Sequence, residues 1–134
     1  EPPWDYAIWS YNGRNGFDWA ISIGSPDVSF IAHFDRDWNV WESNFTNTQM
    51  KRYAQPKNYN AMIEVARLLS EGIDFVRVDL YNIDGIIYFG ELTFTPQSGL
   101  GRIENKWREK MRSEMWEIAL HDRRLYQKRG WFAD

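Results

Sequence analysis

Residues 75–99 read FVRVDLYNIDGIIYFGELTFTPQSG, and their reading decides the fold. The stretch is two strands joined by a tight turn, with Arg77, Asp79 and Glu91 at positions where a core strand is apolar. Alternate residues of a strand share a face. Phe75, Arg77, Asp79 and Tyr81 therefore face one way, and Val76, Val78 and Leu80 form an apolar row on the other. On the return strand Ile87, Phe89, Glu91 and Thr93 alternate with Ile86, Tyr88, Gly90, Leu92 and Phe94.

Which faces coincide depends on the turn. A two-residue turn at Asp84-Gly85 pairs Asp79 with Gly90 and sets Glu91 among the core valines. A three-residue loop, Ile83-Asp84-Gly85, with Gly85 left-handed and forming a bulge, is the next most common connection. It pairs Arg77 with Glu91 and Asp79 with Phe89, so that the three ionic groups share a face and the valines meet Ile86, Tyr88 and Leu92. Burying an unpaired carboxylate is costly. The sequence thus predicts the three-residue loop.

Two carboxylates on neighbouring strands, diagonal to one another, can share a hard cation such as magnesium, which takes few protein ligands and completes its shell with substrate phosphates. Arg77 beside them offers a planar fork of donors to phosphate or acyl-phosphate charge. A structural Arg–carboxylate cross-strand pair also satisfies the pattern, because ion pairs on exposed sheet faces are ordinary. Periodicity alone leaves both readings open.

The remainder of the chain is read by what it does for this hairpin. Its 134 residues make one domain or part of one. With 43% hydrophobic and 17% aromatic residues, 8 of them Trp, the chain can pack a core and disorder is not expected. No apolar run approaches the roughly 20 residues of a membrane-spanning helix. There is no cysteine, which excludes disulfides and thiolate metal sites and fits a reducing compartment, so a cytoplasmic location is the expectation. With only His33 and His121, a multi-histidine zinc site is not expected. The chain opens on Glu1 with no signal peptide visible, and the reading is of a fragment or processed chain.

Charge is uneven. Residues 1–101 hold 7 basic and 13 acidic groups, and residues 102–134 hold 9 and 6, for a net −3. The basic groups of the tail are interleaved with Glu104, Glu109, Glu114 and Glu117, as on a solvated helix face, so nucleic acid is not an expected partner.

Trp4 to Ser10 reads as a strand, followed by turn signals at Asn12-Gly13 and Asn15-Gly16 and a return strand over Phe17–Ile23. Val28 to Phe34 reads as a third strand. Asp35 to Pro56 is expected to be a long loop anchored by Trp38 and Trp41. Asn58 caps a helix running to about Glu71, with Gly72 as its stop. Its stripe Met62, Val65, Ala66 and Leu69 should pack on the valine face. A second stripe, Ile103, Trp107, Met111, Met115 and Ile118, marks a longer helix. Strands, helix, hairpin and helix give an α+β fold, an antiparallel sheet of hairpins packed with two helices. Two units are expected: residues 1–101 with the hairpin, and a helical extension over 102–134.

Together RVD, a turn ending in Asp-Gly, and YFGELTFTP resemble the metal-binding hairpin of the ATP-grasp superfamily. More closely, the stretch resembles the TupA-like ATP-grasp branch, linked to teichuronopeptide and capsular polysaccharide biosynthesis. The Pro56-Lys57-Asn58 signal with its helix, the opening DYAIWSYNG with a Phe-rich return strand, and Asp35-Arg36-Asp37-Trp38-Asn39 are similar to that branch too. The resemblance covers roughly residues 5–100.

The resemblance implies that Asp79 and Glu91 hold one or two magnesium ions against the phosphates of ATP, with Thr93 as a further, weaker ligand where relatives carry Asn. It implies that Arg77 is catalytic, stabilising the transferring phosphate or acyl phosphate, and that Ser98 and Gly99 contact phosphate or substrate. Gln97 stands where one relative type has glycine. The implied reaction activates a carboxylate with ATP and lets an amine attack the acyl phosphate, forming an amide. Partners would be a nucleotide and a carboxylate substrate, with a glycan polymer or amino acid as acceptor. The family's first subdomain supplies lysines and a Gly-rich phosphate loop, and neither is found here. The chain is therefore expected to be the C-terminal part of a ligase, inactive without its N-terminal half. The competing expectations are a non-catalytic binding or scaffold module retaining the hairpin, and a sugar-binding surface of Trp4, Trp9 and Trp19.

Overall fold

A computed structural model of the chain describes residues 3–15 and 20–94, where two glycine-containing dipeptides reverse the chain. Asn12 and Gly13 have φ of 50° and 79°, and Asp84 and Gly85 have φ of 52° and 78°. Two consecutive residues with positive φ mark the type I′ turn, whose twist matches that of the strands it joins. The first turn joins β1 (Asp5–Tyr11) to the short β2 (Arg14–Asn15), pairing Tyr11 with Arg14. The second joins β6 (Val76–Ile83) to β7 (Ile86–Thr93), pairing Ile83 with Ile86. The central hairpin therefore turns on two residues, and the expected three-residue loop does not form.

With β3 (Ile21–Gly24), β4 (Ile31–Phe34) and β5 (Val40–Ser43) these strands make one antiparallel sheet. Its order is β5-β4-β3-β1-β6-β7, with β2 added to β1 beyond the end of β3. The fold class is α+β, as the sequence predicts. Of the expected return strand at 17–23, Ile21 to Ile23 lie in β3, while residues 16–19 fall outside the described residues.

The expected loop over 35–56 contains an element of each kind. β5 forms the sheet edge, and α1 (Asn47–Arg52) follows it. Thr46 caps α1 with a reciprocal box: its Oγ1 accepts from the Gln49 amide at 3.2 Å, while Gln49 Oε1 accepts from the Thr46 amide at 2.9 Å. Trp38 is an anchor, stacked on Phe34 with ring centroids 4.5 Å apart. Trp41, on the edge strand, is 37% exposed and lies outside the core cluster formed by the described residues.

α2 (Tyr59–Ser70) lies across one face of the sheet. Met62 and Ala66 are buried there with Tyr6, Ile8, Val78 and Leu80. Val76, Val78 and Leu80 are wholly buried, each contributing about 1.5–3 kcal/mol relative to an exposed position. The buried set of α2 is Tyr59, Met62, Ala66 and Ser70, so Leu69 of the expected stripe is exposed. The helix end is tied to the first turn. Gly72, at φ 83°, donates to Asn12 Oδ1 at 2.8 Å, and Gly13 donates to Ser70 Oγ at 3.0 Å. The expected second helix lies outside the described residues, as does Trp19. Trp4 is in the core, stacked on Tyr53 at 4.5 Å, and is no part of an exposed indole row.

Candidate active site

With a two-residue turn, strict alternation would send Glu91 to the core. A bulge prevents this. The register of β6 and β7 shifts between Asp79 and Leu80, so Leu80 pairs with Phe89 but Asp79 pairs with Glu91. Gly90 is the extra residue. A Cβ there would lie 2.8 Å from the Asp79 carbonyl oxygen, closer than a side chain tolerates. Only glycine allows the strands to close at this point. Arg77 pairs with Thr93 and Val78 with Leu92, so Arg77, Asp79, Glu91 and Thr93 share the face opposite α2. The sharing expected from the sequence is present, but the bulge produces it. Asp79 is directly opposite Glu91 rather than diagonal to it. Ile86 and Tyr88 are exposed, and Ile87 and Leu92 take the core side.

Arg77 grips Asp79 with both arms of its fork, Nε to Oδ1 at 2.8 Å and one terminal nitrogen to Oδ2 at 2.7 Å. The same nitrogen lies 3.4 Å from Thr93 Oγ1 and 3.9 Å from a Glu91 oxygen. Asp79 is the buried member, its side chain 5% exposed, whereas the Glu91 side chain is 67% exposed. Burial pushes the Asp79 carboxyl above its usual range, the Arg77 fork draws it back, and the negative charges of Glu91 and Asp5 add to the push. Among the described residues this stretch of the face sets two carboxylates, Asp79 and Glu91, beside one guanidinium, Arg77.

Pairing carries this face across the sheet. Asp79 is opposite Ala7, Ala7 opposite Ser22, Ser22 opposite His33 and His33 opposite Glu42. Ser22 Oγ and His33 Nδ1 are 2.7 Å apart, and Trp9 Nε1 donates to Ser22 Oγ at 3.4 Å. The Asp5 carboxylate near Tyr81 pushes its phenol pKa up. Sequence reading placed His33 on a strand but not on this face, because the pairing of β1, β3 and β4 is not a local property. Ser98 and Gly99 lie outside the described residues.

Among the described residues no three His, Cys, Asp or Glu side chains converge as a metal cage. Magnesium does not need one, since one or two carboxylates suffice when phosphates supply further oxygens. A carboxylate offers about four lone-pair sites, and the Arg77 fork leaves part of that capacity on Asp79. The donor set fits a magnesium-bound polyphosphate.

The family described as TupA-like ATPgrasp matches residues 5–115, and the chain belongs to that family. The match runs past Gly101, where the resemblance visible by eye ends. No curated protein and no solved structure matches the chain. Among the described residues no helix is long and apolar enough to cross a membrane.

Proposed function

We propose that the open face of the β6–β7 hairpin binds the phosphates of ATP with magnesium, and that the protein serves a carboxylate–amine ligase of polysaccharide or cell-envelope biosynthesis. The observation that carries this reading is the bulge at Gly90, which sets Asp79 opposite Glu91 beside the Arg77 fork. A structural ion pair needs Asp79 and Arg77 but has no use for a second carboxylate aligned with them.

In this reading Asp79 and Glu91 would hold magnesium and Thr93 would add a hydroxyl, and the ion would supply charge neutralisation to the phosphates. Arg77 lies where the transferring phosphoryl group gathers negative charge, and its fixed fork stabilises that charge without reorganising. The carboxylate oxygen of the substrate takes the γ-phosphoryl group as ADP leaves. The amine then attacks the acyl carbon, and inorganic phosphate departs as the amide forms. Ser22 and His33, on the same face at two and three strand spacings, about 10 and 14 Å from Asp79, would face the acceptor. The lysines and glycine-rich loop that cover the phosphates in this superfamily would come from a unit outside these 134 residues, in a cytoplasmic setting where ATP is available.

One observation favours a scaffold role instead: both Asp79 oxygens are engaged by Arg77. Calorimetric titration of the full chain with magnesium and a non-hydrolysable ATP analogue separates the two. The ligase reading expects affinity that falls at least tenfold with Asp79→Asn or on chelating magnesium. Equal affinity in all three cases supports the scaffold.

A further inference from the structure

The helix side of the sheet carries a second polar constellation. Where the start of α2 meets the β6–β7 turn, an open cleft of about 400 Å³ is lined by Tyr6, Arg52, Lys57, Asn58, Asn82 and Asp84 among others. Its volume is within the range of small-molecule sites. Tyr6 pairs with Leu80 and belongs to the α2 face, so the cleft and the Asp79 face are on opposite sides of the sheet.

The wall of this cleft is built, not incidental. Asn82 Nδ2 donates to Asn58 Oδ1 at 2.8 Å, and Asn58 Nδ2 donates to the Gly85 carbonyl at 3.0 Å. These bonds hold both carboxamides in fixed orientations. They also divert Asn58 from its helix. Asn58 is the N-cap residue of α2 but makes no side-chain capping bond, so it leaves first-turn amides of a 12-residue helix to another acceptor. The positive end of the helix dipole favours an anion there.

Tyr6 supplies an independent indication. It is only 5% exposed, lines the cleft, and its hydroxyl has no hydrogen-bond partner among the described residues. The only buried side-chain polar atom without a partner among the described residues is Trp4 Nε1, so the Tyr6 hydroxyl opens onto the cleft, where it can donate to a ligand. Burial and the neighbouring Tyr53 push its pKa up to about 12, which keeps it a donor at neutral pH. Two cations, Arg52 and Lys57, line the cleft against the single carboxylate of Asp84. Hydrogen-bond donors outnumber carboxylates among these lining residues.

We propose that this cleft is a second ligand site, for a small molecule bearing a phosphate or carboxylate group that accepts from the Tyr6 hydroxyl, the Lys57 ammonium and the opening turn of α2. Because Asn58 and Asn82 also fix the hairpin turn, occupancy reports on the same hairpin whose other face carries Asp79.

The test is a nitrogen-edited NMR titration of the full chain with inorganic phosphate and, separately, with malonate, against sodium chloride at equal ionic strength. The expected result is saturable shifts of the Asn58 and Asn82 side-chain amides and of the backbone amides of Asn60 and Gly85. Both Tyr6→Phe, which keeps the ring, and Lys57→Gln are expected to weaken binding at least fivefold. The anion that saturates at lower concentration identifies the oxyanion class. Shifts no larger than those with chloride, or shifts unchanged in both variants, overturn the proposal. Asp79→Asn should leave this titration intact, so the cleft and the magnesium site fail or stand separately.

Discussion

Asp79 is a carboxylate for which desolvation outweighs the attraction of its partner. Its folded-state pKa is raised above the usual 3.8, with burial as the largest cause. For a carboxyl raised on folding, the folded state binds the proton more tightly than the unfolded state. Stability contributed by the protonated form is therefore complete below about 3.8 and is lost as pH rises through the folded value. Urea midpoints of wild type and Asp79→Asn, measured from acid to neutral pH, should show this fall in the wild type alone. Parallel curves would mean that the Arg77 fork compensates burial fully. A bound cation works against the same penalty, so the residue that is costly in isolation is suited to receive one. Arg77, Asp79 and Glu91 were legible as chemistry because each interrupts an apolar alternation, a signal internal to residues 75–99. Their mutual distances were not legible.

At the level of elements, the site depends on one extra residue. Gly90→Ala forces a Cβ against the Asp79 carbonyl at 2.8 Å, with backbone on the far side that cannot step away. Denaturation should show a loss of about 1–3 kcal/mol, the usual cost of overpacking. Cross-strand proton contacts between Asp79 and Glu91 should weaken in the same variant. The sequence contained the cue, since an isolated glycine within a strand pattern suggests a bulge. The turn and the bulge each move the register by one residue, so reading the turn alone reached the right shared face by the wrong route. Other elements were hidden for different reasons. β5 is exposed along its whole length, so it shows no apolar alternation. α1 is announced only by the Thr46 and Gln49 spacing of its capping box, within a stretch otherwise polar. The loop between β3 and β4 holds a further local conflict: Val28, 72% exposed, sits at φ 54°. A β-branched residue pays for that left-handed backbone. Val28→Asn should raise stability by about 1 kcal/mol in thermal denaturation, because Asn tolerates the conformation.

Across the whole molecule the sheet separates two tasks. One face is closed by α2 over Ile8, Val78 and Leu80, and this was readable from the valine row and the helix stripe. The other gathers Glu91, Asp79, Ser22, His33 and Glu42 into a row that only long-range pairing creates. Local pattern therefore gave the core better than it gave the site, and the match over residues 5–115 shows the TupA-like ATP-grasp family, to which the proposed chemistry appeals. The claim at the centre is that the hairpin face holds a divalent cation between Asp79 and Glu91. Manganese, a paramagnetic stand-in for magnesium, tests it when added with ADP to the full isotopically labelled chain. The amide signals of Asp79, Gly90 and Glu91 should broaden first, and the broadening should vanish in the double variant Asp79→Asn, Glu91→Gln. Broadening that is absent from the hairpin, or that persists unchanged in the double variant, would contradict it.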